Sequence, residues 1–224
     1  MKKLVLVLPL VFMLAVNTSV LGQVEEEEER DVLEVVGFFG AAIPTAGVAE
    51  WMSPGGPEIG AKPGIGFGGG IGYFVTGNLV LGVNFTYSQH SLDTQAGTGN
   101  LEHRFYNPSL YLKRYFYGES DLVPYVKVHV GLDNPKFTTW VWDEALQQFK
   151  FRELSYDPAL AFGAGVGLFY YTSDYSGLLL EANLHYGLSE DAEGTFQDRT
   201  YRFGESNVMI DVHAGVKVFF GSGE

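Results

Sequence analysis

NVMIDVHAGVKVFF, residues 207–220, places Val208, Ile210, Val212, Ala214, Val216, Val218 and Phe220 at one parity and Asn207, Met209, Asp211, His213, Gly215 and Lys217 at the other. Strand side chains alternate faces with period two, so this segment is a ribbon with one apolar face and one polar, partly charged face. A soluble sheet hides its apolar face under a second layer. Where many strands repeat the pattern and no helix is on hand to cover them, the apolar face meets lipid instead.

The pattern does repeat. In 79–90, Leu79, Leu81, Val83, Phe85 and Tyr87 oppose Val80, Gly82, Asn84, Thr86 and Ser88. In 159–171, Leu160, Phe162, Ala164, Val166, Leu168 and Tyr170 oppose Ala161, Gly163, Gly165, Gly167 and Phe169. In 178–188, Leu178, Leu180, Ala182, Leu184, Tyr186 and Leu188 oppose Leu179, Glu181, Asn183, His185 and Gly187. A strand over 101–117 sets Leu110, Leu112 and Phe116 against Tyr111, Lys113 and Tyr115, with Arg114 breaking the apolar face near its end, where a long cation can reach head groups. A strand from Val123 sets Val126, Val128 and Val130 against Tyr125, Lys127 and His129. Asn134-Pro135 is expected to interrupt it, before 137–142 and 149–154 form a hairpin beyond the bilayer. The segment 64–75 alternates Ile65, Phe67, Ile71 and Tyr73 with glycine, which in a narrow barrel leaves room for large side chains from opposing strands. The first strand, 32–43, is almost continuously apolar, so its faces stay open.

Connections of two kinds alternate along the chain. Short ones fall at 76–78, 118–121 and 173–176, and long ones at 44–63, 91–100, 133–153 and 190–202. Short turns at one end and long loops at the other are the pattern of an all-β, eight-stranded antiparallel up-and-down transmembrane β-barrel. An even number of strands closes without a free edge.

Composition agrees. With 29 Gly, 15% aromatic residues and a mean hydropathy of +0.05, the chain is neither disordered nor a helical membrane protein. A net charge of −13 argues against a nucleic-acid partner, which needs clustered Lys and Arg. The absence of Cys excludes disulfides, thiolate catalysis and Cys-ligated metal. Residues 1–22, with Lys2, Lys3 and an apolar run from Leu4 to Val16 that contains Pro9, are expected to be a cleaved signal peptide. Residues 23–31, with five consecutive Glu, are expected to be an acidic flexible segment, followed by the barrel over 32–220 and a short tail over 221–224.

On the segments VTGNLVLGVNFTYS (75–88), YNPSLYLKRYFYGESDLVPYVKVHVGL (106–132) and VHAGVKVFF (212–220), the chain resembles the small eight-stranded outer-membrane barrels of Gram-negative bacteria, typified by the OmpA transmembrane domain and OmpX-like proteins. The resemblance implies an exported monomer of the outer membrane in contact with membrane lipid and lipopolysaccharide. It also implies recognition of Val212 to Phe220 by the barrel-assembly machinery. Such barrels often end on Phe; here Gly221 to Glu224 follow Phe220.

Charged groups inside so narrow a barrel must be paired. Lys113, Lys127, His129, Glu181, His185, Asp211, His213 and Lys217 are therefore expected to form a polar network in the lumen, structural or gating, with Glu181 and His185 facing Asp211, His213 and Lys217. No catalytic, cofactor-binding or metal-ligating set is expected, although three interior His residues could hold a metal. A narrow porin-like path for ions or small solutes is the alternative. A lipid A-modifying enzyme using His90 and Ser91, the one adjacent pair of those types, and a soluble lipocalin-like carrier are lesser readings. Tyr73, Tyr87, Tyr115, Phe116, Tyr117, Tyr170, Tyr171, Tyr186, Phe219 and Phe220 are expected in interfacial girdles. Trp51, Trp140 and Trp142 are expected to pack the loops, and Asp143, Glu144, Glu190, Asp191, Glu193 and Asp198 to form a solvated acidic surface.

Overall fold

The computed structural model describes residues 32–47, 60–91, 102–143, 148–189, 193–196, 199–202 and 206–221. The expected signal peptide and acidic segment lie outside the described residues, as do Trp51, Glu144, Glu190, Asp191, Asp198 and residues 222–224.

Alternating apolar and polar residues produce strands throughout. They are β1 (Val32–Gly47), β2 (Gly64–Thr76), β3 (Leu79–Ser91), β4 (Glu102–Tyr115), β5 (Leu122–Asp143), β6 (Gln148–Ser155), β7 (Ala159–Ser173), β8 (Ser176–Gly187), β9 (Glu193–Phe196), β10 (Arg199–Arg202) and β11 (Asn207–Gly221). The sheet order β4-β3-β2-β1-β11-β8-β7-β5 is closed by pairing of β4 with β5, which makes an eight-stranded antiparallel barrel. The last strand sits between β1 and β8, with Val32 opposite Gly221 and Asn207 opposite Gly187.

Three expectations are corrected. Asn134-Pro135 does not interrupt its strand: β5 runs unbroken for 22 residues, with Asn134 Nδ2 donating to the Tyr106 carbonyl at 3.0 Å and Pro135 paired with Phe105. Its partner on one side passes from β7, whose first residue Ala159 is opposite Asp133, to β6, which pairs with β5 from Lys136 to Asp143. The segment expected as an acidic loop at 190–202 contains the β9–β10 hairpin. The first strand continues to Gly47 through a bulge between Pro44 and Ala46, so the following loop starts later than expected.

The apolar parity faces out. Ile65, Phe67, Leu81, Val83, Leu110, Val166, Leu180, Leu184 and Val216 are all exposed, a band that water penalises and hydrocarbon does not. Of the expected girdle residues, Tyr73, Phe116, Tyr117, Tyr170 and Phe220 are exposed, while Tyr115 and Phe219 point inward. Parity explains the exceptions, because Tyr115 shares the face of Tyr111 and Lys113, and Phe219 that of Lys217. Arg114 lies on the outer face with its guanidinium 5.9 Å from the Phe116 ring.

Val166, at the middle of β7, is 61% exposed. Replacing it with Lys is expected to cost about 2–4 kcal/mol, the penalty for a cation at the bilayer midplane. Urea unfolding in lipid vesicles measures this, with Asp174→Lys in a short turn as a near-neutral control.

Candidate functional site

All eight expected lumen residues face inward, and seven are buried; His129 is partly so. The network they form differs from the expected one, because Glu34 and Asp133 are its added partners and most of its pairs reach over intervening strands.

Near the short-turn end the hub is Glu34 of β1, which is fully buried. Its Oε1 accepts from the Tyr111 hydroxyl at 2.7 Å and from Lys113 Nζ at 2.5 Å, and its Oε2 from the Tyr115 hydroxyl at 2.6 Å. Lys217 Nζ stands 3.4 Å from Oε2 and also contacts the Tyr115 hydroxyl. The Lys217 ammonium sits over the rings of Tyr115, Tyr125 and Phe169 at 4.5, 5.0 and 4.7 Å, where ring faces replace lost water. Beneath it, Phe74, Val123, Phe169, Leu179 and Phe219 form an apolar floor.

The second hub is Glu181 of β8. It is ion-paired with Lys127 and accepts from the Tyr125 hydroxyl at 2.9 Å and Asn183 Nδ2 at 2.8 Å. Both hubs require absent side chains elsewhere. A Cβ on Gly72 of β2 would strike the Tyr111 hydroxyl and Glu34, and a Cβ on Gly167 of β7 would strike the Tyr125 ring. The glycines thus let each tyrosine lie flat against the wall and reach its carboxylate.

The third hub is Asp133, at the far end of β5's pairing with β7. It is fully buried and accepts from His185 Nε2 at 2.9 and 3.0 Å, from Asn107 Nδ2 at 3.0 Å and from Asn207 Nδ2 at 3.0 Å. With Nε2–H given to Asp133, His185 Nδ1 faces His129 Nε2 at 3.4 Å.

The expected pairing of Glu181 and His185 with Asp211, His213 and Lys217 is therefore corrected. Glu181 is opposite His213 in the ladder and Asn183 opposite Asp211, as adjacency required. The ions nonetheless pair elsewhere: Lys217 with Glu34, Lys127 with Glu181, and His185 with Asp133. Lys217 and Glu34 meet diagonally on the neighbouring strands β11 and β1, whereas Lys127–Glu181 and His185–Asp133 reach over the one intervening strand β7 and Lys113–Glu34 over β2 and β3. Sequence reasoning missed Glu34 and Asp133. Glu34 sits in a strand whose faces were unassigned, although it shares parity with the inward Phe38 and Ala42. Asp133 was assigned to a loop; parity counted on from Lys127 and His129 reaches it.

His90 and Ser91 do not form a catalytic pair. His90 is buried, with Nδ1 3.1 Å from the Lys62 carbonyl and Nε2 3.2 Å from Ser88 Oγ, while Ser91 is exposed on the other face. Among the described residues, two small cavities lie between the hubs. One of about 30 Å³ is lined by Asn84, His129, Asp133, Asn183, Asp211 and His213 among others, and one of about 10 Å³ lies beside Lys113 and Glu181. By volume they suit about two waters and about one.

No family model matches the sequence, and no curated protein matches it. Solved structures do. The outer membrane protein OprG from Pseudomonas aeruginosa superposes with a TM-score of 0.53 at 13% identity, over 87% of this chain and 97% of that one. Neisserial surface protein A gives 0.51 at 13% identity, over 85% and 97%. The outer membrane protein AlkL, determined in lipid bilayers, gives 0.51 at 15% identity, over 91% and 96%. At these identities the likeness is one of fold, and the fold is that of the small outer-membrane β-barrels.

Glu34→Gln is expected to destabilise the barrel by about 3–5 kcal/mol, because Lys113 and Lys217 lose their carboxylate in a buried site. Replacing Lys127 and Glu181 together with Met is expected to cost less than Glu34→Gln, since both buried charges leave at once and only the Tyr125 hydroxyl and Asn183 Nδ2 lose an acceptor. Urea midpoints in vesicles compare the two.

Proposed function

We propose that this chain is an exported outer-membrane barrel of a Gram-negative bacterium whose lumen is closed and whose role is structural or interactive, carried by its long loops at the outer surface. The observation that carries this reading is the filled lumen. Two carboxylate hubs, Glu34 and Glu181, are tied to three lysines and three tyrosines inside the barrel, and the two cavities beside them suit about two waters and about one. A solute would have to break buried ion pairs to pass. The apolar exterior supports contact with membrane lipid and, through the loop end, with lipopolysaccharide. Val212 to Phe220, with the exposed Val212, Val216 and Phe220, is the segment offered to the barrel-assembly machinery. The barrel closes on itself, so no second copy is needed to pair a strand edge, and a monomer is the proposed state.

Turnover is not part of this reading: the one adjacent Ser-His pair points to opposite faces, and the lumen carboxylates are held by Lys and Tyr. A soluble carrier fits poorly, because the exterior is apolar and the interior charged. A narrow ion path is the second reading, favoured by one observation: both cavities are lined by Phe38, Asn84 and Lys127, so they abut. Planar-bilayer recording decides between them. Purified, refolded protein is expected to give no conductance steps above baseline at ±100 mV. Reproducible steps that change size in Lys127→Met would establish the path instead.

A further inference from the structure

At the long-loop end the outer face of the wall made by β3, β4 and β5 changes character in successive rungs. Phe85 opposite Pro108 belongs to the apolar band. One rung further, Tyr87 is opposite Tyr106, with ring centroids 5.1 Å apart, and Tyr106 is opposite Asn134. Aromatic residues at the edge of an apolar band mark the membrane interface. The next rung, about 7 Å along the strands, therefore stands at headgroup height. It holds Gln89, Arg104 and Lys136, with Arg104 directly opposite Lys136. Within β1, β2, β7, β8 and β11 the outward residues at this end are uncharged, as Ile43, Ile65, Tyr186 and Ile210 show. The charge is thus confined to one sector of the barrel.

Two cations directly opposite each other in a ladder are destabilising unless anions stand beside them. The rung nearer the loops supplies two carboxylates. Arg104 donates from Nε and Nη2 to Glu102 Oε2 at 3.1 and 2.6 Å, and from Nη1 to Glu153 Oε2 at 3.3 Å. Lys136 Nζ donates to Glu153 Oε1 at 3.1 Å and lies 5.5 Å from the centre of the Tyr106 ring. Of the five guanidinium N–H groups three are spent in this way, and of the three ammonium N–H groups one. The others have no acceptor among the described residues. The two side chains are 32% and 36% exposed, so an outside group can reach them. Both carboxylates come from the loop side, which leaves the approach from the lipid side to an incoming anion.

We propose that Arg104 and Lys136, held side by side on the outer face of β4 and β5, form a binding site for the phosphate of an outer-leaflet lipid headgroup. A phosphate presents several oxygens at once, which suits a planar guanidinium fork beside an ammonium. Glu102 and Glu153 are positioning residues that keep the two cations together. The acyl chains of the same lipid would lie along the apolar band below, past Tyr106 and Pro108. The inference rests on the reading of the long-loop end as the outer surface, and it names the group through which membrane lipid is held there.

The test is native mass spectrometry of tag-free barrel released from detergent after incubation with lipid A, with dephosphorylated lipid A as the paired probe. The expected result is a retained lipid A, with the dephosphorylated form weaker by about tenfold or more, because it lacks the charge-assisted hydrogen bonds. Arg104→Gln and Lys136→Gln are each expected to weaken lipid A by about tenfold. Arg114→Gln, on the outer face near the short turns, is expected to leave retention unchanged. Heat-modifiable migration in SDS gels checks closure of each variant, and the comparison of the two lipids on the unaltered barrel needs no variant. Equal retention of the two lipids, or retention that survives both substitutions, overturns the proposal. The leaflet is tested separately with Ser91→Cys, exposed on the rung of Glu102 in a chain without other Cys. A membrane-impermeant maleimide is expected to label it on intact cells. Failure to label overturns the outer-surface reading and the leaflet with it, while the lipid comparison still decides the phosphate site.

Discussion

Hydrocarbon offers no hydrogen bonds to a backbone, so every strand that crosses it needs a partner on both sides. That requirement is met here for the two ends of the barrel by the pairing of the first strand with the last, β1 with β11 from Val32 opposite Gly221 to Gly47 opposite Asn207. Without it the β1 and β11 edges would carry rows of unpaired N–H and C=O groups into lipid. Closure with eight strands then fixes the interior at a width that side chains fill almost completely. The rest of the structure is a response to that narrow, poorly hydrated space.

The response has two parts, and they depend on each other. Large side chains need somewhere to lie, and glycine on the facing wall provides it: Gly72 for Tyr111 and Gly167 for Tyr125. Glycine weakens a strand in isolation, but here it lets a tyrosine hydroxyl reach a carboxylate that would otherwise be short of donors. Glu34 and Glu181 each collect tyrosine and lysine donors from across the barrel. Neither carboxylate would be tolerable without those donors, and neither lysine set without its carboxylate.

Charge is also distributed unevenly along the axis. Toward the short turns, one carboxylate, Glu34, serves two ammonium groups, Lys113 and Lys217. In the middle, Glu181 and Lys127 balance. Toward the long loops two carboxylates, Asp133 and Asp211, border a cavity whose single lysine is already paired. The aromatic box around Lys217 compensates at one end through ring faces. At the other end His185, Asn107 and Asn207 are the compensating groups, and they serve Asp133.

The eight barrel strands and the two faces of β3, β7, β8 and β11 were legible in the sequence, because period-two alternation is a local property that follows from backbone geometry alone; the β9–β10 hairpin was not. The inward position of Lys127, Glu181, Asp211 and Lys217 followed from the same parity. The faces of β1 were not legible, since its apolar run hides the alternation, and Glu34 was lost with them. The unbroken course of β5 was hidden by Asn134-Pro135, because a proline signals a break unless a neighbouring strand tolerates the missing donor. What only the tertiary structure decided is who pairs with whom. Parity says that a lysine points into the lumen, but its partner across a closed barrel is set by strand tilt, register and the glycines on the far wall. None of these is written in the few residues around it.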